Sequence, residues 1–178
     1  MDTANPKEEN MVVDLFRHNT WANMKLLEAC EGLGDEHLGA NMAGTFGAIR
    51  DTLIHIVGAE VSYVKRVTGR MPEEPLKRGE LPSFEVMKKA ARWTGEELLQ
   101  LALKAGPTDM VLETGEGGSV KYPLTSLLTQ AINHATEHRA QVATILTQQG
   151  IEPPDMSGWA YMEEMGQFEE TVNEKATD

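Results

Sequence analysis

The sequence predicts an all-α fold, a four-helix bundle with a long crossover between the second and third helices and a short C-terminal helix. Three observations carry this expectation. Four long stretches repeat apolar residues at three- and four-residue steps, the period of a helix with one buried face. Between the second and third of them, residues 70–82 (RMPEEPLKRGELP) hold three prolines, which suits a crossover loop and not a helix. The chain has 178 residues, 40% of them hydrophobic, with no internal repeat and no linker that marks a boundary. One domain over residues 1–178, ordered over about 8–170, accounts for that length.

The elements follow in order. Residues 1–7 read as a loose start. The first helix is expected from about Glu8 to Leu33, with Met11, Leu15, Ala22 and Leu26 on its apolar side and Gly32 and Gly34 ending it. The second fits Thr45 to Thr68, with Ile49, Leu53, Ile56, Val57 and Val64 on one side and Gly69 as its stop. Ser83 is a good N-cap for the third, which runs to about Ala105 before the GPTD break. Residues 109–123 have short β-prone pieces around a Gly-rich turn and suit a small hairpin or an extended loop. The fourth helix runs from Leu124 to about Gln149, closed by Gly150 and kept from continuing by Pro153 and Pro154. A short fifth covers Gly158 to Glu170, and the final TVNEKATD is expected to fray.

Composition excludes some functions. The net charge is −12 and the pI about 4.8, so phosphate backbones and anionic membranes should repel the chain. Its basic cluster of Lys88, Lys89 and Arg92 is too thin to reverse that. No apolar run reaches the ~20 residues of a spanning helix, and the N-terminal MDTANPKEEN lacks the features of a signal peptide. Cys30 is the single cysteine, so no internal disulfide forms. The expectation is a cytoplasmic protein, with no nucleic acid and no membrane among its partners.

The chemistry centres on INHATEHRAQV, residues 131–141. His134 and His138 are four apart, so on a helix they differ by about 40° and one turn in height. They sit at the edge of the apolar stripe of Leu127, Ala131, Val142 and Ile145. Two imidazoles at that spacing can converge on one cation, yet a catalytic site usually needs three protein ligands. Such pairs also occur as boundary histidines. Glu137 directly precedes His138, so the motif is not the HExxH of zinc proteases. His18, His37 and His55 are the candidates for a third ligand. His37, in GDEHLGA, reads as a surface loop residue, and His18 as a boundary histidine. His55 points almost opposite the Leu53, Val57 and Val64 stripe, among Ala48, Thr52, Ala59 and Ser62. Pattern alone does not choose between His18 and His55.

Other features read as packing. Trp21 and Trp93 suit the core or an interface, Trp159 and Tyr161 the end of the bundle, and the ten methionines fill gaps. GEGG at 115–118 lacks the lysine and hydroxyl residue of a phosphate loop. Spacing supports no Ser-His-Asp triad.

Three segments in order resemble the DinB/YfiT-like superfamily of small helical metalloproteins. HNTWANMKLLEA (18–29) resembles the family's first helix with its aromatic-Ala-Asn segment. DTLIHIVGAE (51–60) resembles the second-helix segment with one histidine, and LTSLLTQAINHATEHRAQVATILTQQGIEPPD (124–155) the helix with paired histidines. Ala140 stands where members often have Gly after the His-Arg pair. The resemblance implies the bundle, and a divalent-metal site of His55, His134 and His138. For His55 the warrant is the resemblance, and the helix that carries it must then be buried on two sides, as a dimer or the crossover could arrange. Glu60, Gln141 and Asn133 are candidates to orient the imidazoles. The ion would be zinc or nickel, or else iron, copper or manganese.

The resemblance also implies reactions. Relatives with known activity use low-molecular-weight thiols, mycothiol or bacillithiol, in isomerase or S-transferase chemistry. The leading expectation is a thiol-dependent S-transferase in detoxification or stress response, a homodimer acting on a small-molecule substrate. Cys30 would take no part, since the reacting sulfur comes from outside. Two alternatives stand beside it. One is a metal-dependent hydrolase, and the other a non-enzymatic, stress-related helical dimer whose metal is structural or vestigial.

Overall fold

A computed structural model describes residues 11–77 and 79–168. It is mostly helical, with a small antiparallel sheet. The helices are α1 (Met11–Glu31), α2 (Asp35–Leu38), α3 (Ile49–Thr68), α4 (Phe84–Lys104), α5 (Leu124–Gln148) and α6 (Gly158–Glu164). Strands β1 (Met110–Gly115) and β2 (Gly118–Pro123) stand between α4 and α5. The all-α expectation is corrected to that extent: residues 109–123 form a true hairpin. It pairs Val111 with Tyr122 and Glu113 with Val120, and its buried Val111 joins the helical core.

The expected bounds shift where local bonds outcompete the helix. α3 starts at Ile49 and not at Thr45. Thr45 Oγ1 donates to Met42 O at 2.8 Å, Gly44 takes φ +89°, and Ala48 is extended at the N-cap, so residues 42–48 form a turn. α2 was expected as loop; its single turn closes through Leu38 N–H to Gly34 O at 3.0 Å. α6 ends at Glu164 and not at Glu170, because Gly166 turns left-handed at φ +65° and Gln167 N–H caps Met162 O. Ser83 caps α4 as expected, accepting from Val86 N–H at 3.3 Å. The proposed start at Glu8, and the last residues, lie outside the described residues.

The core has two apolar clusters with a polar layer between them. The first gathers Leu26, Leu27, Leu53, Val57, Met87, Ala90, Val142 and Ile145. The second gathers Phe16, Val64, Leu98, Leu124, Leu127 and Leu128. Along α3 and α4 the chain passes from the first cluster to the second, whereas α1 and α5 pass from the second to the first. Since α3 and α4 run the same way, residues 69–83 must cover a helix length of about 30 Å. That many extended residues reach well beyond it. α1 packs on α4 and α5, and α3 on α4 and α5. The apolar side of α1 begins later than expected: Met11 and Leu15 are exposed, and burial starts at Phe16.

α1 and α4 approach closely at Gly95. A methyl group there would overlap the Thr20 side chain, which is itself tied to Phe16 O. The Lys88 and Lys89 pair seen in the sequence is engaged by Glu31, Glu74 and Glu85. No described helix is long and apolar enough to cross a membrane.

Candidate metal centre

α3 and α5 bring His55, His134 and His138 together. One ring nitrogen from each lies within 4.8 Å of the others. His134 Nε2 faces His55 Nε2 at 2.9 Å. The ring centroids are 4.7, 4.8 and 4.4 Å apart for the 55–134, 55–138 and 134–138 pairs. Nitrogens at about 2.0–2.1 Å from a tetrahedral ion stand roughly 3.3 Å from one another, inside the spread of this cluster. The donor set is purely imidazole, which suits zinc, nickel, copper or iron.

The other histidines are committed elsewhere. His18 Nε2 is 2.9 Å from Met156 O, and its ring packs against Trp21 and Tyr161. His37 is in α2 and not in a loop, and its Nδ1 is 2.7 Å from Gln149 Oε1. Tyr161 is buried at the α1 face, while Trp159 is exposed and stacks on Phe168.

Hydrogen bonding fixes the tautomer of His138. The backbone N–H of Phe46 can only donate, and it meets Gln141 Oε1 at 3.0 Å. That sets the Gln141 amide with its oxygen inward. The same oxygen lies 2.9 Å from His138 Nδ1, which must therefore carry the proton. His138 Nε2 is left with its lone pair free. Of the three residues considered for orienting the imidazoles, Gln141 is the one that does so. Asn133 is exposed and lines a separate apolar cavity with Leu15 and Ile132. His134 Nδ1 is buried and has no hydrogen-bond partner among the described residues.

Two of the three rings are held neutral. Burial first, and then the charge of His138, lower the pKa of His55. Burial, then His138 and His55, bring His134 down to about 4. Both rings are deprotonated at neutral pH, as ligands must be.

Aromatic rings border the cluster. Phe46 stacks on His55 with centroids 3.9 Å apart and planes at 15°, and meets the His138 ring edge-on at 5.2 Å. Tyr63 lies edge-on to His134 at 6.0 Å. The side of α3 opposite Leu53 and Val57 is thus covered by α5 and by Phe46, from the turn before the helix. Cavities of about 670 Å³ (between α1, α4 and α6), 540 Å³ and 460 Å³ lie away from these histidines. The donors and not cavity size mark this place.

Glu60 has a different role from the one considered for it. It is fully buried in the polar layer, where Asn19 Nδ2 and Asn23 Nδ2 each donate to Oε1 at 2.8 Å and Thr94 Oγ1 donates to Oε2 at 2.9 Å. Arg139 Nη1 donates to the Oδ1 atoms of Asn19 and Asn23 at 2.7 and 2.6 Å. Two amides therefore relay between carboxylate and guanidinium. The residues come from α1, α3, α4 and α5, so one network locks four helices in register. Burial pushes the Glu60 carboxyl up, against the pull of its donors and Arg139. Burial also brings Arg139 down to about 10, leaving it charged at neutral pH. The sequence signal for this layer was present: polar residues at positions 19, 23, 60, 94 and 139 interrupt the apolar periodicity.

Cys30 is buried in the first cluster, and burial pushes its thiol up to about 12. It is a packing residue.

Comparison with known proteins places the chain in a family. Protein DinB of Bacillus subtilis (strain 168) is 22% identical over 159 residues, covering 83% of this chain and 92% of that protein. The model of the DinB family matches residues 2–172, nearly the whole chain. On that match, the chain belongs to the DinB family.

Proposed function

We propose that this chain is a metal-dependent enzyme in which His55, His134 and His138 hold one divalent ion, zinc or nickel foremost. The observation that carries the reading is three imidazoles meeting across two helices, with one tautomer set by Gln141. A bound ion supplies Lewis acidity, which favours deprotonation of a thiol or a water at neutral pH. The chain's own part is to hold the donors. Gln141 orients His138, burial keeps His55 and His134 unprotonated, and Phe46 keeps water from one face of the cluster.

The reaction proposed is transfer of a low-molecular-weight thiol to a small electrophile, in detoxification or stress response. It requires no nucleophile from the chain, in keeping with a buried Cys30 whose thiol is pushed up to about 12. The protein acts in the cytoplasm as a homodimer, each chain one domain with a four-helix bundle of α1, α3, α4 and α5 and residues 69–83 as the crossover. Hydrolysis is the second reading, and rests on the same donors. The two separate in one assay on zinc-loaded protein: product formation from an electrophile must require added thiol for a transferase, whereas ester cleavage without thiol would mark a hydrolase. No turnover under either condition, with the ion bound, would leave a stabilising metal.

A further inference from the structure

Gln141 carries two hydrogen bonds on one oxygen, and they lead to different places. One comes from His138 Nδ1 at 2.9 Å and the other from Phe46 N–H at 3.0 Å. Phe46 is 50% exposed, yet its ring lies flat on His55 and edge-on to His138. A residue that covers two of the three imidazoles is thus held by the group that orients one of them.

This arrangement has a direction. An ion on His138 Nε2 needs that lone pair, so the proton stays on Nδ1 and Gln141 Oε1 must face inward to accept it. The same oxygen then accepts from Phe46 N–H. Without an ion, His138 is free to place its proton on Nε2. Nδ1 then faces the amide oxygen lone pair to lone pair, which favours turning the amide so that its NH₂ donates. The turned amide offers Phe46 N–H no acceptor.

We propose that Gln141 is a positioning residue that couples metal occupancy to the Phe46 turn, so that the loaded site is covered by Phe46. Ligands then reach the cluster along an aromatic wall, which favours a flat apolar group beside the donor atom. The inference rests on the three histidines binding an ion.

The test is hydrogen exchange of peptides spanning residues 42–48, with and without saturating zinc, with zinc content measured on the same samples. Wild type is compared with Gln141→Leu, which has no acceptor, and Gln141→Glu, which keeps one. Zinc should slow exchange on the order of fivefold in wild type and Gln141→Glu, the effect of one modest hydrogen bond. Gln141→Leu should carry zinc without that protection. Protection in loaded Gln141→Leu equal to wild type, or none in loaded wild type, overturns the coupling. Failure of Gln141→Leu to load at any zinc concentration also counts against it, since Gln141 would then serve the ion and not the cover. Wild type that takes up no zinc overturns the metal reading itself, and the zinc content identifies that case.

Discussion

Acid should act on the cluster through His134. Its pKa falls from the ordinary 6.5 to about 4 on folding, chiefly by burial. Between those values the unfolded chain binds more protons than the folded one, so stability rises with pH across the window. The contribution is complete above about pH 6.5 and is lost as pH falls toward about 4. Metal-free protein melted across pH 7 to 4 should lose stability in that window, and His134→Gln should flatten the slope; an unchanged slope would mean that other groups set it. Gln141 acts at the same scale. A partner that orients a ligand is commonly worth 10–100-fold in metal affinity, so Gln141→Leu should weaken zinc binding by that order in a competition titration, and Gln141→Glu much less.

At the scale of elements, the packing is decided at two places. Gly95 lets α4 meet Thr20 of α1. Gly95→Ala should destabilise by about 1–3 kcal/mol, the usual range for overpacking a core, although alanine favours helix. Urea unfolding measures this, and a neutral or stabilising result would show that Thr20 yields easily. The second place is the polar layer. Arg139→Met leaves the Glu60 carboxylate buried without its charge partner and should cost roughly 3–5 kcal/mol. Adding Glu60→Gln to that variant should recover part of the loss.

The same elements show what the sequence makes legible. The long helices follow from apolar periodicity, and Ser83 and the Gly-rich hairpin turn are local signals that held. The α3 start did not follow, because a tertiary-compatible turn at Met42–Thr45 beat a helical pattern that continues through Ala48. Met11 and Leu15 fit the period but lie beyond the packed part of α1. His55 was legible only through resemblance. Its side of α3 is buried by α5 and by Phe46, contacts that no single-helix periodicity contains. Glu60 stands beside Gln141 and Asn133 as one candidate partner for the histidines, since spacing does not reveal that position 60 looks into the layer shared with Asn19, Asn23 and Arg139.

At the scale of the whole molecule, the cluster joins α3 to α5, and the polar layer ties both to α1 and α4. An ion that binds the folded chain alone must therefore stabilise all of it. Zinc at about 100 times its dissociation constant contributes about 2.7 kcal/mol, or a rise in melting temperature on the order of 5–10 °C for a chain of this size. The most direct measurement of the central claim is metal content by elemental mass spectrometry on untagged protein, wild type beside His55→Ala, His134→Ala and His138→Ala. The account predicts about one divalent ion per wild-type chain, lost in each variant. No ion in wild type, with no uptake after adding zinc or nickel, would contradict it and leave three histidines that merely pack together.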